Sequence, residues 1–149
     1  MHLLNDRDAE AVRGRLAALS QPVRLAYFTE GTSGLVIPGR DCRYCAETLR
    51  LLEDVAGCSA QVTLEVHDRL TDPEPFGRYR IDRVPGLVVL GARDFGIRYY
   101  GFPAGYELGT LLDIIVDVGR GGADLGADTR TALARLAGDV HLQVYVTPT

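Results

Sequence analysis

Asp41-Cys42-Arg43-Tyr44-Cys45-Ala46-Glu47-Thr48-Leu49 sets two cysteines three positions apart where helical periodicity begins. From Cys45, the residues Leu49, Leu52 and Ala56 follow at four, seven and eleven positions, one apolar face of a helix predicted over 42–56. Cys45 points inward with that face. Cys42 takes the exposed cap, where backbone N–H groups without intrahelical partners and the positive end of the helix dipole favour an anion. Gly57 is the left-handed cap expected to end the helix. A thiolate is the attacking species in disulfide exchange, and a helix N-terminus lowers a cysteine pKa from about 8.5 toward roughly 3.5–7.5. Arg40 and Arg43 assist that shift and Asp41 opposes it. The predicted division of labour makes Cys42 the nucleophile and Cys45 the thiol that resolves the mixed disulfide.

Blander readings compete for the same residues. A zinc site completed by Cys58 and His67 has the spacing C-x2-C-x12-C-x8-H, which runs across a whole helix and strand and does not fit compact zinc modules. A purely structural Cys42–Cys45 bridge closes too short a loop to add much stability. Cys58, next to Gly57, reads as a small, partly buried thiol at the far end of the helix, about 20 Å from Cys42. His67 reads as a satisfied strand-end residue. His2 and His141 carry no motif, and Tyr99-Tyr100 read as core and hairpin packing.

Outward from the cysteines, the other elements can be placed. Asn5-Asp6 can cap a first helix with Val12, Leu16 and Leu19 at helical spacing. A strand follows over Val23–Thr29, with Leu25, Tyr27 and Phe28 as core candidates. Residues 30–40, with three glycines and a proline, form a long loop. Val62, Leu64 and Val66 alternate with polar residues as in a strand. Asp72-Pro73 opens a short helix through Phe76 and Tyr79. Residues 87–90 form a strand buried on both faces, followed by a turn over 91–96 and a hairpin partner over 97–100. A helix over 104–118 puts Leu108, Leu111, Leu112 and Ile115 on one face, with Thr110, Asp113 and Asp117 opposite. This order predicts an α/β fold whose mixed central sheet is flanked by helices.

Composition narrows the function. At 149 residues the chain can bury roughly two-thirds of its unfolded surface, and 46% hydrophobic with 24% charged residues is an ordinary globular balance. The sixteen basic residues are all arginine, scattered among acids for a net charge of −4, so no basic stripe recommends nucleic acid. No apolar run is long enough for a membrane span, and the first residues lack a signal peptide's pattern, so the expected location is the cytoplasm. Three cysteines in that setting point to catalysis or metal binding rather than a disulfide framework.

The C-terminal part repeats the opening. Residues 119–125 are glycine-rich and do not follow a strand, so they read as a linker rather than a nucleotide-binding fingerprint. Shifted by 117 positions, Arg13, Leu16, Ala17, Leu19, Val23 and Leu25 match Arg130, Leu133, Ala134, Leu136, Val140 and Leu142. The predicted division is a CxxC domain over 1–118, a linker over 119–125, and the helix-strand start of a second unit over 126–149. Leu133, Leu136, Leu142, Val144 and Val146 then need cover, from the first unit or from another copy in a homodimer with an added or exchanged strand.

Arg83-Val84-Pro85-Gly86 precedes the most buried strand, where a proline is tolerated at the first position. A cis Val84–Pro85 bond would leave the Val84 backbone free to pair with an extended substrate beside Cys42, although the sequence alone supports only a turn. The strand–loop–CxxC–helix order, then Val84-Pro85 before a hairpin and a closing helix, resembles a thioredoxin fold. Residues 78–85 and 94–105 resemble the protein disulfide oxidoreductases, glutaredoxin-like proteins that join two thioredoxin-fold units in one chain. The resemblance covers essentially the whole chain. It implies Cys42 as nucleophile, Cys45 as resolving thiol and Pro85 as the cis-proline facing them, with Arg43, Tyr44 and Val84 contacting substrate. It implies protein disulfides as substrates, no bound cofactor beyond the Cys42–Cys45 disulfide, electrons from a thioredoxin reductase-type donor, and a peroxiredoxin as a downstream partner. It also implies that 126–149 begins a second unit, in a fragment or a naturally shortened chain. The sequence departs from the family in lacking the second CxxC, in a longer loop over 30–41 that is a candidate cover for the site, and in Arg43 within the variable dipeptide. Two alternatives stand beside this reading: a non-catalytic interaction or metal-binding module, and a glutathione-dependent glutaredoxin.

Overall fold

The computed structural model describes residues 2–31 and 42–146. Its elements run α1 (Asp6–Leu16), β1 (Val23–Thr29), α2 (Cys45–Gly57), β2 (Val62–Asp68), α3 (Glu74–Tyr79), β3 (Gly86–Leu90), β4 (Asp94–Tyr100), α4 (Tyr106–Arg120) and α5 (Ala127–Ala134). The strands form one mixed sheet in the order β2-β1-β3-β4. β1 lies parallel to β2 and antiparallel to β3, and β3 and β4 form an antiparallel hairpin. This is the expected α/β sandwich.

Strand alternation divides the core between the two faces of the sheet. Val23, Leu25 and Tyr27 of β1 and Leu87 and Val89 of β3 point to one face, where they meet Val12 and Leu16 of α1, Leu52 and Val55 of α2, and Leu111 and Ile115 of α4. Ala26 and Phe28, with Val88 and Leu90, point to the other face, covered by Phe76 of α3 and by Ile81. The central strands are thus apolar on both sides, which explains their near-continuous hydrophobic runs. On the outer strand β2 the alternation fades, and Val66 is 43% exposed.

Local chemistry sets several boundaries. Asn5 caps α1 by accepting a hydrogen bond from the Asp8 N–H at 2.9 Å. Four expected boundaries need correction. The second helix begins at Cys45, not Cys42, because the first carbonyl to accept an i+4 bond is that of Tyr44, from the Thr48 N–H at 2.9 Å. Gly57 is not a left-handed cap. The cap is Cys58, in the right-handed region, and the Cys58 and Ser59 N–H groups bond back three residues to Val55 and Ala56, tightening the last turn. β4 starts at Asp94, so the hairpin turn is shorter than 91–96; the positive φ of Gly96 (+82°) falls within the strand beside a register shift. α4 continues through Arg120 and is capped by Gly121 at φ +87°. Gly119 belongs to that helix, packed so closely that a Cβ there would lie 2.5 Å from Leu19 Cδ2.

The C-terminal segment contributes little to this core. α5 buries none of its residues. The strand expected from Val140 onward is not formed among the described residues, because 140–146 has no partner strand. Leu142 and Val144 are 84% and 86% exposed, and Leu133, Leu136 and Val146 are exposed as well, so none of the five is covered by the first unit. Among the described residues no helix is long and apolar enough to cross a membrane.

Candidate active site

The sheet register brings three separate segments to one end of the molecule. Phe28, near the end of β1, pairs with Gly86 at the start of β3, and Gly86 pairs with Tyr100 at the end of β4. The chain entering β3 (Val84, Pro85) and the chain leaving β4 (Gly101, Phe102) are therefore neighbours by construction. The Gly101 N–H donates to the Pro85 carbonyl at 3.0 Å and locks them together. The Val84–Pro85 peptide bond is cis. Gly86 is needed at this crossing, since a Cβ there would lie 3.1 Å from both the Arg83 carbonyl and Ile81 Cγ2.

The CxxC cysteines form a disulfide, Cys42 Sγ to Cys45 Sγ at 2.00 Å. Cys45 opens α2 and is 5% exposed, whereas Cys42 sits in the turn before the helix and is only half-buried. The side chains thus have the predicted asymmetry, with Cys42 outside the helix rather than at its cap. Behind the pair, the Tyr27 hydroxyl donates to the Cys45 carbonyl at 2.8 Å. Burial pushes the Tyr27 phenol up to about 12, with the hydroxyls of Thr29 and Thr48 pulling the other way. Thr48 Oγ1 also donates to the Tyr44 carbonyl at 2.7 Å, securing the first turn of α2.

Arg43 and Tyr44, between the cysteines, are both exposed. The Arg43 guanidinium lies 5.2 Å from the centroid of the Tyr44 ring. Tyr44 also stacks on Phe102, with centroids 6.2 Å apart and planes 7° from parallel. Phe102 is a site residue that the sequence reading missed. In the sequence only its place between Gly101 and Pro103, just after the predicted hairpin strand, marks it.

The remaining candidates lie elsewhere. Cys58, at the opposite end of α2, points its thiol at the Ala9 carbonyl (3.7 Å), and burial pushes its pKa up. His67 Nδ1 pairs with Asp72 Oδ2 at 2.6 Å and its ring packs on Phe28. Its Nε2 is buried without a hydrogen-bond partner among the described residues, so the expected satisfied strand-end residue is satisfied on one nitrogen only. The zinc ligand set is therefore dispersed, and among the described residues no three His, Cys, Asp or Glu side chains are grouped to hold a metal. Tyr99 packs against the core and donates to Glu107 of α4, and Tyr100 packs beneath the Arg83 guanidinium, so both serve packing as expected. The loop proposed as a cover, apart from Glu30 and Gly31, lies outside the described residues, as do Arg40 and Asp41.

A four-stranded mixed sheet with a CxxC disulfide ahead of a helix and a cis-proline entering the adjacent strand defines a thioredoxin-fold unit with a disulfide site. No protein-family model matches the chain, and no curated protein matches it. Solved structures do. The chain is 25% identical to a protein disulfide oxidoreductase from Aeropyrum pernix, with a TM-score of 0.75 over 92% of this chain and 58% of that one. It is also 25% identical to the alkylhydroperoxide reductase AhpF from Enterococcus faecalis, with a TM-score of 0.74 over 89% of this chain and 61% of that one. For a structure of the N-terminal domain of that enzyme, the values are 25%, 0.71, 86% and 58%. The chain thus spans about three-fifths of the length of these relatives.

Proposed function

We propose that the chain is a thiol–disulfide oxidoreductase acting on protein disulfides through Cys42 and Cys45. The observation that carries this reading is the unequal exposure of the two bonded cysteines on a thioredoxin fold. In the reducing direction, the Cys42 thiolate attacks one sulfur of a substrate disulfide. That S–S bond breaks, and the substrate's other sulfur leaves as a thiolate and takes a proton from water. Deprotonated Cys45 then attacks Cys42 Sγ and displaces the substrate's second sulfur, leaving the Cys42–Cys45 disulfide. Two electrons have passed to the substrate, and an external dithiol returns them. An extended substrate pairs with the Val84 backbone beside Pro85, with Arg43 and Tyr44 at its flank.

The likeness to the alkylhydroperoxide reductase AhpF supports a reductase as electron donor and a peroxiredoxin-type acceptor. The exposed apolar row over 140–146 supports a second unit or a second copy of this chain as its cover. Sedimentation showing a monomer at high concentration counts against the copy. The central test is insulin reduction with dithiothreitol. The wild type should accelerate it, Cys42→Ser should abolish it, and Cys45→Ser should trap a mixed disulfide through Cys42. Full activity in Cys42→Ser would overturn the assignment.

A further inference from the structure

We propose that Tyr44 and Phe102 form one aromatic wall that receives a large apolar side chain next to the reactive cystine of a polypeptide substrate, which makes Phe102 a specificity-determining residue. This rests on the oxidoreductase reading above and adds the substrate class.

Phe102 is held in place from three sides. Gly101, at φ +106°, turns the chain out of β4 while its N–H is fixed on the Pro85 carbonyl. Pro103 is buried, and the Ala104 N–H closes back on the Phe102 carbonyl at 2.9 Å. The ring is therefore placed by the segment that carries the cis-proline, and it meets Tyr44 from the segment that carries Cys42. A near-parallel offset pair at 6.2 Å lies within the favourable range for aromatic stacking. Yet Tyr44 remains 44% exposed, and neither ring belongs to either core cluster. The pair, with Tyr44 exposed and Phe102 half-buried, is an aromatic surface next to the disulfide-bearing turn. The Arg43 guanidinium, 5.2 Å from the Tyr44 centroid, stands at its edge as a long side chain that an incoming apolar group displaces. Covering it with a substrate's phenylalanine, tyrosine or leucine removes apolar area from water at low entropy cost. Glutathione has no apolar side chain to place there.

The experiment compares two disulfide-bridged peptides that differ at one position beside the cystine, Phe in one and Gly in the other. The wild type should favour the Phe peptide in kcat/KM, and Phe102→Ala should lower that preference about tenfold, the scale of one apolar pocket contact. Phe102→Leu, which keeps most of the apolar volume, should retain most of the preference and guards against a variant that merely misfolds. An unchanged preference in Phe102→Ala, or no preference in the wild type, overturns the proposal while leaving the oxidoreductase reading intact. A wild type that reduces neither peptide overturns both.

Discussion

The Tyr27 hydroxyl reaches from the middle of the sheet to the carbonyl of Cys45, a 2.8 Å hydrogen bond that ties the central strand to the first residue of the helix bearing the disulfide. Tyr27→Phe removes one buried donor without changing shape. The expected cost is about 1–2 kcal/mol, read as a lower urea midpoint of the oxidised protein.

The same phenol gives a signed pH dependence. Burial holds its proton, with a folded value of about 12 against an ordinary 10.0. The unfolded chain therefore loses that proton first as pH rises. The contribution is complete below pH 10 and declines through about 10 to 12. Wild-type stability should fall across that window, and the gap between wild type and Tyr27→Phe should narrow with it. A constant gap up to pH 11 would exclude this account.

Alkylation separates the three thiols. In the reduced protein at neutral pH, substoichiometric iodoacetamide should label Cys42 at least about tenfold ahead of Cys58, whose pKa burial has raised, and ahead of Cys45, which is covered. Peptide mapping by mass spectrometry gives the order directly.

Two glycines should respond in opposite senses. Gly14, on the exposed side of α1, has open space where a Cβ would stand, with nothing within 4 Å, so Gly14→Ala should stabilise by about 0.5–1 kcal/mol. At Gly91 the same atom would lie 2.8 Å from the Val118 carbonyl, a backbone group, so Gly91→Ala should cost about 1–3 kcal/mol. Thermal unfolding of both variants is the check.

Removing residues 125–149 should change the stability of the remaining unit by no more than about 0.5 kcal/mol, since α5 buries nothing and 140–146 is exposed. A large drop in melting temperature would show that the segment supports the first unit.

Elements whose faces are fixed by periodicity are legible in the sequence. Val23–Thr29 can be located residue for residue, because a strand apolar on both sides and bounded by Pro22 and a glycine-rich loop leaves little choice. The CxxC pair is equally legible, since Cys45 shares its helical face with Leu49 and Leu52. What escapes depends on hydrogen bonds that no pattern displays. The start of α2 is set by which carbonyl first finds an i+4 partner, and the end of the hairpin turn by a bulge at Gly96. Val140 to Val146 alternate as a strand does, but alternation supplies no neighbour, and without one these residues form no ladder. Phe102 escapes because its contact with Tyr44 exists only once the fold has brought the end of β4 beside the turn between the cysteines.

The start of α2 at Cys45 bears on how the unit cycles. Breaking the sulfur–sulfur bond frees a residue that lies ahead of the helix, so exposing Cys42 to an incoming chain requires no helical turn to unwind. Cys45 is anchored through its carbonyl by Tyr27, which gives the returning bond a fixed acceptor.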